Sequence, residues 1–100
     1  MTLPDAEKAE LLALNDRTTA YVVKIVEAIK SEDPEILRYA QPEGAEVTRM
    51  MKECRRHHLE RIEADSVNPL ISLTYMDLLN RYRHMKDLAL NVAEVVGGEK

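Results

Sequence analysis

The chain has no tryptophan and no phenylalanine, one cysteine and three glycines among its 100 residues. Without the two largest apolar rings, tyrosine supplies every aromatic contact, and the core must be filled by small aliphatics and methionine. Such a filling suits helices meeting side by side. The lone Cys54 excludes an intrachain disulfide and fits a reducing compartment. No apolar run approaches the ~20 residues needed to span a bilayer, and the polar, acidic N-terminus does not read as a signal peptide. The expectation is a cytoplasmic chain that does not insert into a membrane. A net charge of -4 argues against a dedicated nucleic-acid binder, whose affinity rests on cationic contacts to phosphates. There is no internal repeat, no low-complexity segment and no linker long enough to divide the chain, so residues 1–100 read as one domain.

What is present is helical periodicity. From Ile71 to Val96, alternating steps of four and three give Ile71, Tyr75, Leu78, Tyr82, Met85, Ala89, Val92 and Val96, with no charge among them. Residues so spaced share one face of an α-helix. The opposite side reads Asn80, His84, Asp87, Asn91 and Glu94. Near the N-terminus, Thr2 stands three residues ahead of Asp5 with Pro4 between, a helix-start pattern. Asp5, Glu7 and Glu10 suit the positive end of that helix dipole. Leu11, Leu14, Thr18, Val22, Ile25 and Ile29 form its apolar face. Asp33-Pro34 marks the next start. Ile36, Leu37 and Tyr39, then Val47, Met50, Met51, Cys54, His58 and Ile62, mark the inward side of a second helix. Pro42, followed by Gly44, predicts a kink or break within it. Ser66, Val67, Asn68 and Pro69 read as the following turn, and Gly97-Gly98 as the stop. The expected fold is all-α, an up-down-up three-helix bundle with helices over 4–31, 34–65 and 69–96.

The chemistry-bearing residues read mostly as structure. Arg49, Lys52 and Arg56 make a basic row on the second helix and are candidate contacts for an anion, yet Glu53 and Glu60 are interleaved at helical spacing. His57 and His58 point about 100° apart and do not serve one metal; His58 falls on the inward side as a hydrogen-bonded core histidine. Cys54 reads as a small core residue. Asp87 with His84 has the spacing of a helical ligand pair, but Arg83 and Lys86 beside it oppose a divalent cation, so no metal and no cofactor are expected. No nucleophile with a positioned base and no glycine-rich phosphate loop is visible, and the chain does not read as an enzyme. Met76, Leu79 and Leu90 lie off the main apolar series, in line with Arg83, and suggest a docking face for a second copy or a neighbouring domain.

The run from Tyr75 to Glu94, YMDLLNRYRHMKDLALNVAE, resembles the last helix of PhoU-like domains, which reads Glu-Arg-Ile-Gly-Asp-His-Ala-x-Asn-Ile-Ala-Glu. Asp87, Ala89, Asn91, Ala93 and Glu94 match position by position. His58, Arg61 and Ile62 resemble the His-x-x-Arg-Leu segment of the preceding helix, in particular that of the cytoplasmic part of sodium/phosphate cotransporter-family proteins. The resemblance implies one three-helix PhoU-like repeat, most like a C-terminal one, with a regulatory role in phosphate uptake. The partners it implies are a transporter membrane domain, a phosphate-signalling protein, or a neighbouring repeat. Members can bind metal clusters through a carboxylate-x-x-x-Asp motif. Here Asp87 fills the second position and Arg83 the first, so metal binding is not carried over. The alternative expectation is a small self-associating helical adaptor with no phosphate role.

Overall fold

The computed structural model describes residues 4–64 and 68–98. Three helices follow one another: α1 (Asp5–Lys30), α2 (Ile36–Ala64) and α3 (Pro69–Val96). Each packs against both others, and the bundle measures 50 × 21 × 18 Å. The expected three-helix architecture is therefore the observed one. The capping expected of Thr2, and the turn residues Ser66 and Val67, lie outside the described residues.

The connection after α1 is closed by backbone geometry. Glu32 takes a left-handed φ of 52°, and the Asp33 and Glu32 amides donate back to the carbonyls of Ala28 and Ile29. This is the usual helix stop with a side chain where glycine is commonest. Asp33 then opens the next segment: its Oδ1 accepts from the Glu35 amide and its Oδ2 from the Tyr39 hydroxyl. Those two bonds hold its carboxyl below the ordinary aspartate range. At the second connection Asn68 Oδ1 accepts from the Leu70 amide and Pro69 occupies the first turn of α3, as the sequence signals require.

Of the kink or break expected near Pro42, the break is absent, and the glycine that follows has a packing role. The helix does not end at Pro42 but continues through it. Pro42 lies near the start of α2 on the exposed side, where the carbonyl of exposed Arg38 that loses its amide partner can be hydrated. Gly44 is buried against α1 for a steric reason. A Cβ there would stand 2.8 Å from the Tyr21 hydroxyl, which itself donates to the Ala40 carbonyl at 2.7 Å. The glycine lets α1 and α2 approach around the tyrosine ring, which outweighs its ~1 kcal/mol disadvantage to alanine as a helix former.

The core runs Leu14, Tyr21, Ile25 and Ala28 from α1, Ile36, Ala40, Val47, Met51 and Cys54 from α2, and Tyr75, Leu79 and Ala93 from α3. On α3 the inward series is Tyr75, Leu79, Lys86 and Ala93 rather than the uncharged one read from the sequence. Met85, Val92 and Val96 are 42 to 48 % exposed. The innermost line lies about one residue, or 100°, further round than the uncharged series. Lys86 is what hid it. Its aliphatic stem lies over Gly44, and its ammonium reaches Asp87 Oδ1 at 2.6 Å, so a lysine packs its methylenes inward while its head stays paired.

The two large buried phenols give opposite expectations. Burial, then the charge of Glu43, pushes Tyr21 up to about 12 from 10.0; burial and then the neighbouring Cys54 raise Tyr75 as well. Both are held protonated in the fold at pH values where the free side chain ionises. The stability linked to Tyr21 is thus complete below pH 10 and is lost as pH rises through about 12. Tyr75 Oη has no oxygen or nitrogen partner among the described residues, and only the weakly bonding Cys54 thiol lies beside it. Tyr21→Phe is expected to cost about 1 kcal/mol, while Tyr75→Phe costs nothing or stabilises, since it removes a poorly satisfied polar atom. Urea unfolding of both variants checks this; a larger loss for Tyr75→Phe than for Tyr21→Phe contradicts it.

Candidate functional site

At the end of the bundle where α1 begins, one polar relay joins all three helices. His58 of α2 is fully buried, with Nδ1 2.9 Å from Glu7 Oε1 of α1 and Nε2 2.9 Å from Ser72 Oγ of α3. Against a carboxylate, Nδ1 must be the donor, and in the neutral imidazole Nε2 then accepts from the serine hydroxyl. Tyr75 stacks on the imidazole with ring centroids 4.5 Å apart. Arg61 Nε stands 3.9 Å from the same Glu7 oxygen, and the next histidine, His57, hydrogen-bonds Glu10. Thus His58 and Arg61, two residues that carry the family resemblance, converge on one buried carboxylate.

His58 is on the inward side, as expected, but its partners Glu7 and Ser72 are not among the residues the sequence singles out for a site. Glu7, which the sequence places at the positive end of the helix dipole, is only 3 % exposed. Its signal was available: it stands seven residues before Leu14 and so on the same face. Ser72 had no such signal, because only the meeting of α2 and α3 brings it to His58. The connectivity acid–imidazole–hydroxyl is that of a nucleophile with a positioned base, an arrangement the sequence did not suggest. Its acid and base are enclosed in the helix packing, with Tyr75 against the ring.

The other sequence candidates separate. Leu79 is fully buried, and Met76 and Leu90 are half-buried against the core. They do not form a docking face, because the one-residue shift of α3 turns them inward; Arg83 alone of that set is exposed. Asp87 is held by Lys86, with Arg83 Nε 4.0 Å away. Exposed His84 does not join it, and among the described residues no group of three or more His, Cys, Asp or Glu side chains is arranged to hold a metal ion. Asn91 is exposed and Glu94 is half-buried on the side of α3 that faces α2. In the basic row, Arg56 is engaged by both Glu53 and Glu60, and Arg49 is gripped by Glu46 through Nε and Nη2. Lys52 enters no ion pair among the described residues.

The exposed apolar surface lies elsewhere, between α1 and α3. Val22, Ile25, Val26 and Ile29 form one wall and Met85, Leu88, Ala89 and Val92 the other, enclosing about 270 Å³. Val26, Met85, Leu88 and Val92 are each near half exposed. No helix among the described residues is long and apolar enough to cross a membrane. No family model, curated protein or solved structure matches this chain.

The relay makes a direct stability forecast. His58→Leu leaves the buried Glu7 carboxyl without its imidazole and is expected to cost about 3 kcal/mol. Adding Glu7→Leu is expected to restore a good part of that loss. A double variant no more stable than His58→Leu in denaturant unfolding contradicts the assignment.

Proposed function

We propose that this chain is a non-catalytic regulatory domain, one PhoU-like repeat, that works in phosphate uptake on the cytoplasmic side of a transporter. It docks through the α1–α3 groove onto a second bundle of the same kind. The groove is the observation that carries the docking part of this reading. A three-helix bundle whose core is already filled by Leu14, Tyr21, Ile25, Met51 and Leu79 has no internal need for a second aliphatic stripe. Leaving four long aliphatics near half exposed in one groove is costly unless another surface covers them.

A second copy also meets opposite charges beside the groove, with Asp16 on the side of α1 toward α2 and Lys30 next to Glu27 of its own helix. Asp16 and Lys30 are exposed and stand seven residues to either side of Val23, itself 53 % exposed beside Val26. Crossing two α1 helices antiparallel about Val23 sets Asp16 of each copy opposite Lys30 of the other, as a two-fold axis requires. The phosphate part rests on the likeness of His58, Arg61, Asp87, Asn91 and Glu94 to the PhoU-like pattern. A regulatory rather than catalytic role agrees with the relay, which ties helices together and sits inside their packing.

Sedimentation velocity tests the docking. The chain is expected to dimerise by ~100 μM, and Val26→Glu with Leu88→Glu to return it to monomer; a monomeric wild type at that concentration removes self-association. The phosphate role has its own readout. Deleting the chain from its cells is expected to raise phosphate uptake at high external phosphate. Unchanged uptake with an intact dimer favours the alternative, a self-associating helical adaptor with no phosphate role.

A further inference from the structure

We propose that the cleft between α2 and α3 binds a phosphoryl-type oxyanion through Lys52, Lys86 and Arg49. It lies on a different seam from the docking groove and does not rest on that reading. The cleft encloses about 540 Å³, ample for a phosphate or a small phosphate monoester. Its charged lining is Arg49, Lys52, Lys86 and Glu94, three cations to one acid in a chain whose net charge is -4. Glu46 and Asp87 pair with Arg49 and Lys86 from beside the lining, so the first reason to expect an anion there is the gathering of three cationic side chains on one cleft wall, with Lys52 unpaired among the described residues.

The second reason is preorganisation. Lys86 is 9 % exposed and its stem is packed over Gly44, so its ammonium is delivered to one place rather than sweeping through solvent. Arg49 is oriented by its two-point grip on Glu46, which engages Nε and Nη2 and leaves Nη1 on the guanidinium fork to donate. Lys52 is exposed, enters no ion pair among the described residues, and stands one turn beyond Arg49 and Thr48 on α2. Fixed donors lose less freedom on binding than mobile ones. A tetrahedral oxyanion, with several acceptor oxygens and more than one charge, matches three converging cations better than a single carboxylate does. Glu46 and Asp87 already offset part of the charge on Arg49 and Lys86, and Glu94 opposes from the cleft wall. The expected dissociation constant is therefore on the order of 1 mM rather than micromolar. Arg56, in the same sequence row, is excluded because Glu53 and Glu60 occupy its guanidinium.

Amide NMR titration with inorganic phosphate, at ionic strength matched with chloride, tests the site. Saturable shifts are expected at Thr48, Lys52 and Lys86. Lys52→Gln is expected to weaken binding at least about 5-fold, because it removes a fully available cation. Lys86→Met is a second variant that keeps the buried stem and removes the ammonium, with a similar effect and an unchanged spectrum at Leu14 and Ile25. Arg56→Gln is expected to bind as wild type. A parallel titration with O-phosphoserine identifies the source: tighter binding than phosphate assigns the cleft to esterified phosphoryl groups, and weaker binding assigns it to free phosphate. No saturable shift up to ~20 mM with either probe, wild-type binding by both lysine variants, or equal weakening by Arg56→Gln each overturns the proposal.

Discussion

Everything at the α1 entry end of this bundle depends on one buried carboxylate. Glu7 is nearly without solvent, and it is tolerable there only because His58 donates to it and Arg61 stands close. A carboxyl buried without partners would cost several kcal/mol, so its neighbours cannot rotate away independently. His58 passes the constraint to α3 through Ser72 and to the core through its stack on Tyr75. The apolar core supplies the driving force for association. The relay supplies a register, because a slip of any one helix by a residue would break a bond to a buried group.

A second polar device sets the rotation of α3 further along. Lys86 sits on the inward line, with its stem over Gly44 and its ammonium on Asp87. Tyr21, between α1 and α2, donates to Ala40 and requires Gly44 to be bare. These three contacts interlock: the glycine admits the tyrosine on one side and the lysine on the other. The consequence reaches the surface. With Leu79 and Lys86 turned inward, Met85, Leu88 and Val92 are left at the α1 border, where they form the apolar groove. The same rotation carries Lys86 toward Lys52 and Arg49 across the α2 seam. One register thus places an aliphatic groove on one seam of α3 and a cationic cleft on the other.

In the proposed reading, recognition rather than turnover is the output of this arrangement. The groove offers apolar area without polar specificity, and the cleft offers charge without much area. In the proposed reading the first recruits a second bundle and the second senses a phosphoryl group. α3 contributes side chains to both.

The amino-acid sequence alone determined the helix number, their order and most of their limits. Its 3.6-residue periodicity, Asp33 and Asn68 as start signals, and the absence of long apolar runs all express local physics that needs no partner. It also identified His58 and Cys54 as inward residues, since both continue the line of Met51 and Val47. The tertiary structure decided which face of α3 is core, because a lysine stem counts as apolar only when a glycine on another helix makes room for it. Hence Leu79 moved from the expected docking face to the interior, while Met85 and Val92 moved out. It likewise decided that Pro42 could be carried within α2, its lost hydrogen bond falling on the solvent side. Glu7, His58 and Ser72 are far apart in the chain, and the uncharged seam of Ile71 to Val96 was the simplest pattern along α3. Contacts between helices, invisible to any single periodicity, made the relay and displaced that seam.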